Sequence, residues 1–130
     1  MQSIHAAGSA RTLIVVPTYN EVANIGELLR QIFAQMNDVH VLVVDDNSPD
    51  GTAGFAENLI GRYPNLRVLR RMNERGLGRA YTAGILHGLD NGFEIIGTMD
   101  ADLSHDPVHL PAMLELLRSH DVVIGSRYVA

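Results

Sequence analysis

Five short apolar runs constrain this chain more than anything else in it: Thr12–Val16, Val39–Val44, Leu66–Leu69, Ile95–Met99 and Val122–Ile124. They are rich in Val and Ile and lack sustained polar alternation, as strands covered on both faces do. Helical patterns fill the gaps. Ile25, Leu28, Leu29, Ile32, Phe33 and Met36 keep the spacing of one helix face, with Asn20 as the expected N-cap. Phe55, Ala56, Leu59, Ile60 and Tyr63 repeat the pattern more weakly. Leu110, Met113, Leu114 and Leu117 repeat it after Pro107, a proline suited to a first helical turn. Leu77–Leu89 also reads as a helix, and Gly84 and Gly88 within it predict close packing on the sheet. Strand–helix alternation of this kind predicts an α/β fold, with a mainly parallel sheet and helices on both faces. In such sheets ligands bind beyond the carboxyl ends of the strands, so the polar residues after each strand are where chemistry is expected.

Composition narrows that chemistry. With 130 residues the chain has enough for one core. Cysteine is absent, which removes disulfides, thiolate nucleophiles and zinc–thiolate sites. All ten basic residues are arginine, so neither a P-loop lysine nor a Schiff base is available. A net charge of −5 argues against non-specific nucleic-acid binding. No apolar stretch approaches the roughly 20 residues of a membrane span. Residues 1–11 are small and polar and read as a flexible leader, leaving 12–130 as the domain and a cytoplasmic location as the expectation.

The strand ends carry the candidates. After the first strand comes Pro17-Thr18-Tyr19-Asn20-Glu21, in which Pro17 is expected to end the strand and Glu21 to favour the positive end of a helix. A cap explains neither an aromatic ring at Tyr19 nor its place at the mouth of the sheet, so a ligand-facing role is open. The second strand closes in Asp45-Asp46-Asn47-Ser48-Pro49-Asp50-Gly51. Adjacent buried carboxylates are costly without partners, and a nucleobase edge, a ribose or a cation would supply them. Gly76-Leu77-Gly78 invites a dinucleotide-loop reading, but Tyr81 occupies the place of the last glycine, so a tight turn into a helix is the better description. Asp100 and Asp102 flank small Ala101 at the end of the fourth strand. In extended backbone their carboxylates point the same way, and a hard cation such as Mg2+ or Mn2+ relieves their repulsion. His105, near the start of the next helix, is a weaker ligand candidate beside Asp106. Arg127, after the fifth strand, suits a phosphate or an ion pair with an aspartate.

Taken in order, PTYNE, DDNSPDGT, GLGRAY, MDADLSHDP and GSRY closely resemble the family-2 glycosyltransferases of the GT-A fold, and among them the polyprenyl-phosphate (dolichyl-phosphate) mannose synthases. The resemblance spans about residues 12–128. It implies a Rossmann-like nucleotide-binding half and transfer of mannose from GDP-mannose to a polyprenyl phosphate at the cytoplasmic face of a membrane, with inversion. Pro17, Tyr19 and Glu21 would touch the donor nucleotide. Asp45 and Asp46 would hold base and ribose, with Asp50 in the same loop. Asp100, Ala101 and Asp102 would meet the nucleotide sugar, the two aspartates through Mg2+ or Mn2+. Ser104 stands where the family often offers an amide or hydroxyl near that metal, and Arg127 would lie close to the transferring phosphates. Asp102 and Arg127 are thereby the expected catalytic residues.

Relatives of this type continue well beyond GSRY, with acceptor-contacting residues and membrane-associating helices. The chain therefore reads as a donor-binding part, with weak or absent transferase activity alone and exposed apolar surface that favours self-association. Three rivals stand beside this reading. One is a transferase for another nucleotide sugar or acceptor. Another is a non-catalytic nucleotide-binding protein. The third, a phosphoacceptor receiver domain, needs a lysine after its last strand and an acidic pair after its first, and this chain has neither.

Overall fold

A computed structural model describes residues 11–72, 76–104 and 106–116. Its elements are β1 (Thr12–Thr18), α1 (Val22–Gln35), β2 (His40–Asp45), α2 (Thr52–Glu57), β3 (Leu66–Arg70), α3 (Leu77–Asp90) and β4 (Ile95–Thr98). A 3-10 turn at Pro107–His109 then leads into α4 (Leu110–Leu116). The strands form one parallel sheet in the order β3-β2-β1-β4. The expected strand at Val122–Ile124, and Leu117 of the last helical pattern, lie outside the described residues.

Period-two alternation divides the apolar strand residues between two cores. Ile14 and Val16 of β1, with Val41 and Val43 of β2, pack against Ile25, Leu28, Leu29 and Ile32 of α1, Ala56 of α2 and Leu110 of α4. Leu13, Val15, Leu42 and Val44 point the other way, toward Ala80 of α3. Helices thus lie on both faces, as expected. Close approach of α3 explains its glycines: a Cβ on Gly84 would stand 2.3 Å from Val15 Cγ1, and one on Gly88 2.8 Å from Ile96 Cδ1.

Several boundaries differ from the expectation. β1 does not stop at Pro17 but runs to Thr18, since Pro17 and Thr18 keep register with Val44 and Asp45. Asn20 is not the cap of α1. It sits at φ 57°, and Glu21 occupies the N-cap without a side-chain capping bond. The donor that a cap would satisfy is met from outside the helix, where Val22 N donates to Asp50 Oδ2 at 3.1 Å. α2 is only six residues long. Beyond it, Leu59, Ile60 and Tyr63 still pack against the core from turns, and Tyr63 stacks on Phe33 at 4.7 Å between centroids. Arg11, grouped above with the leader, is held by Asn91 O at 2.8 Å and lies over the Phe93 ring.

Candidate active site

The carboxyl ends of β1, β2 and β4 and the start of α3 surround a cleft of about 360 Å3. β1 and the turn after it contribute Pro17, Thr18, Tyr19 and Glu21. Asp46 enters from the end of β2, Gly76 and Ala80 from α3, and Asp100, Ala101 and Asp102 from the segment after β4. Parallel strand ends leave this crevice because the crossing helices cover the faces but not the ends. Tyr19 is exposed, whereas Ala101 is buried and adds almost no bulk where a ligand would approach.

Asp45 and Asp46 are both buried, yet they do different things. Asp45 Oδ1 accepts from Thr18 Oγ1 at 2.7 Å and Ser48 Oγ at 2.6 Å, while its Oδ2 accepts from Ser48 N at 2.9 Å. It does not line the cleft. The donors expected from a ligand come here from the chain itself. Asp46 forms a buried ion pair with Arg71, 2.9 Å from Nη1 to Oδ1, and accepts from Gly76 N at 3.1 Å. One carboxylate thus joins the ends of β2 and β3 to the start of α3 and still borders the cleft. Gly76 adopts φ 133° and its N–H meets Asp46, so the first glycine of the pair serves this carboxylate.

Asp50 is also outside the cleft and acts as a clasp. Its Oδ2 takes Val22 N of α1 and its Oδ1 takes Thr52 N at 3.0 Å and the Thr52 hydroxyl, while Thr52 Oγ1 accepts from Glu21 N at 3.0 Å. Desolvation opposes ionisation here, but the combined hydrogen bonds from Thr52 and Val22 outweigh it and hold the carboxyl below its ordinary range. Asn20 N completes the lacing by donating to Ser48 Oγ at 2.8 Å. The DDNSPDGT loop therefore fixes the PTYNE turn in place.

β4 ends at Thr98, so Asp100 and Asp102 lie beyond the strand and not on one extended run as expected; Ala101 and Asp102 are already in a turn. Both carboxylates nevertheless line the same cleft. Leu103 holds a left-handed φ of 64°, and the turn brings Ser104 N within 3.0 Å of Asp102 Oδ1. Asp100 Oδ1 accepts from the Tyr81 hydroxyl. Burial and the adjoining Asp100 charge push the Tyr81 phenol well above its ordinary value, so it stays protonated and donating. Among the described residues Ser104 Oγ is buried and has no hydrogen-bond partner. Two carboxylates on one cleft with an unsatisfied hydroxyl nearby form an all-oxygen donor set, which fits Mg2+ or Mn2+. Among the described residues no group of three or more acidic, histidine or cysteine side chains is gathered, so such a cation would take further oxygens from its ligand.

Of the residues singled out by sequence, the cleft unites Pro17, Tyr19, Glu21, Asp46, Asp100, Ala101 and Asp102. Asp45, Asp50 and Ser104 support it from behind or beside. Arg127 and His105 lie outside the described residues. Thr18, Ala80, Arg71 and Tyr81 were not assigned roles from sequence. Thr18 and Tyr81 stood inside motifs already conspicuous there, whereas no local pattern marks Arg71 as the partner of an aspartate 25 positions away.

The glycosyl transferase family 2 profile matches residues 13–130. Over 119 residues the chain is 44% identical to an undecaprenyl-phosphate mannosyltransferase of Micrococcus luteus, covering 92% of this chain and 49% of that protein. It is 43% identical to a polyprenol monophosphomannose synthase of Mycolicibacterium smegmatis, covering 92% of this chain and 46% of the other. The chain thus spans about half the length of these curated relatives. In three dimensions it superposes on a mannosyltransferase of Pyrobaculum calidifontis solved with GDP-mannose and Mn2+, with a TM-score of 0.64 and 32% identity over 72% of this chain and 28% of that one. A glucosyl-3-phosphoglycerate synthase of Mycobacterium tuberculosis, 21% identical with a TM-score of 0.66 over 88% of this chain and 43% of the other, shares the fold.

Proposed function

The chain belongs to glycosyl transferase family 2, and from that premise we propose that it binds GDP-mannose and a divalent cation as the donor half of a polyprenyl-phosphate mannosyltransferase. One observation carries the reading: Pro17-Thr18-Tyr19 with Glu21, Asp46 and Asp100-Ala101-Asp102, remote in sequence, border one cleft at the carboxyl ends of a parallel sheet. In it Tyr19 and Glu21 contact the nucleoside, Asp46 faces the base or ribose, and the diphosphate lies toward Asp100 and Asp102. Asp45 and Asp50 serve the same site by bracing its wall. Arg127 and Ser104 are assigned to the diphosphate end, where their charge and hydroxyl suit phosphate and cation oxygens.

A bound Mg2+ or Mn2+ supplies Lewis-acid stabilisation of the departing nucleoside diphosphate. The residues do the rest by placement. An ionised lipid phosphate is already a nucleophile, so no side chain has to deprotonate it. Binding the donor with its anomeric carbon open on one side permits in-line attack and inversion. In the whole protein the acceptor lipid draws the enzyme to the cytoplasmic face of a membrane as a peripheral partner. Among the described residues no helix is long and apolar enough to cross one. Self-association is proposed through the outer face of α3, where Ile85, Leu86 and Leu89 are exposed.

The test is calorimetry of GDP and UDP, with and without Mn2+, on this chain and on Asp102→Asn. GDP is expected to bind tighter than UDP and to gain about tenfold from Mn2+. Asp102 is exposed, so the substitution should remove that gain while leaving the melting temperature nearly unchanged. Equal metal enhancement in the variant would refute the cation assignment. Preference for UDP would favour the other-sugar reading.

A further inference from the structure

Tyr81 lies in α3, and its hydroxyl donates across to Asp100 Oδ1 at the end of β4. The cleft is lined by Asp100 but not by Tyr81, so the phenol grips its carboxylate from outside the ligand space. Among the described residues no donor reaches the other oxygen, Oδ2. The grip is firm because α3 cannot easily shift. Gly84, less than one helical turn beyond Tyr81, brings the helix backbone onto Val15, and Gly88 brings it onto Ile96 of β4 itself. Phenol and carboxylate are thereby tied to one packed layer, Asp100 standing just beyond the end of β4.

We infer that Tyr81 is a positioning residue that restricts Asp100 to a one-oxygen contact with the bound cation and so selects small octahedral ions over Ca2+. The inference rests on the nucleotide-sugar reading above. A carboxylate whose Oδ1 already accepts a strong hydrogen bond offers only Oδ2 at full strength. Mg2+ and Mn2+ complete near-octahedral shells with single oxygens, whereas Ca2+ takes six to eight ligands and often both oxygens of a carboxylate. Removing the phenol hydroxyl frees Oδ1 for a two-oxygen contact. Ca2+ then gains and the smaller ions do not.

The decisive measurement is calorimetric titration of GDP in the presence of Mn2+, Mg2+ or Ca2+, on the unaltered chain and on Tyr81→Phe. The expected result is a strong preference for Mn2+ and Mg2+ over Ca2+ that narrows by about fivefold in the variant, as loss of one hydrogen bond implies. GDP affinity without metal should not move. A metal preference unchanged in Tyr81→Phe, or affinities lowered equally with every cation and with none, overturns the role of Tyr81. The reading beneath it fails in a different way, when no cation raises GDP affinity in the unaltered chain. Crystals of the unaltered chain with Mn2+ and GDP test the same point without a variant. Mn2+ on Asp100 Oδ2 alone supports the inference, and Mn2+ on both oxygens overturns it.

Discussion

At the level of single residues, the buried Asp46–Arg71 pair shows how one acidic group can be both scaffold and site. Each side chain is almost wholly removed from water, 7% exposed for Arg71 and 6% for Asp46. Desolvating both ions is costly, and their attraction compensates only while both are present. Gly76 N supplies one further donor to the carboxylate, which cannot replace a guanidinium charge. Arg71→Leu should therefore destabilise the chain by about 3 kcal/mol in urea titrations. Loss of a buried charge partner should also loosen the start of α3, where Gly76 is tied to the same aspartate. A stability within about 0.5 kcal/mol of the unaltered chain would mean that the carboxylate finds water or a proton instead.

At the level of elements, α3 is set by small residues where β1 and β2 are set by large ones. A methyl group on Gly84 would fall inside the van der Waals radius of Val15, a fully buried β-branched side chain with little freedom to turn away. Gly84→Ala is thus expected to cost about 2 kcal/mol by overpacking. Gly78, in the first turn of the same helix, has open space within 4 Å of where a methyl group would stand, and Gly78→Ala should instead add about 0.5 kcal/mol through helix propensity alone. Opposite signs in thermal melts check both at once, and equal losses would show that α3 docking is not what makes Gly84 necessary. The glycines also mark how far local pattern reaches. Continuous apolar runs and helical spacing, with the glycines, were enough to find four strands, four helices and the tight face of α3, because burial writes those signals into adjacent residues. The same signals misplaced the cap of α1. Asn20 is a good capping residue by type, but Asp50, 28 positions from Val22 and 30 from Asn20, takes the donor first, and that competition has no local trace. Asp45 was legible as a buried carboxylate; its bond from Thr18, 27 positions away, has no local trace either, although Ser48 stands only three residues on.

For the molecule as a whole, the two faces of the sheet are covered unequally. α1, α2 and α4 share one face, while among the described elements α3 alone packs on the other. Its outer side presents Ile85, Leu86 and Leu89 at 37%, 53% and 60% exposure. A symmetric pair of chains joined along this stripe would bury six such side chains, each already half covered, for roughly 1 kcal/mol apiece. That gain is comparable with the lower end of the roughly 4–15 kcal/mol lost in association. The net charge of −5 on each copy opposes the pairing further at low salt. The balance predicts weak, reversible self-association at high micromolar concentration, strengthened by salt, and no stable dimer at low micromolar concentration. Sedimentation velocity across that range should show the weight-average mass rising with concentration for the unaltered chain and staying at 14.2 kDa for Leu86→Glu/Leu89→Glu. Both side chains point away from the sheet, so the double variant should keep its GDP and Mn2+ affinity. Unchanged association in that variant would place the contact elsewhere, with the partly buried Ile95 and Ile96 of β4 the next residues to alter.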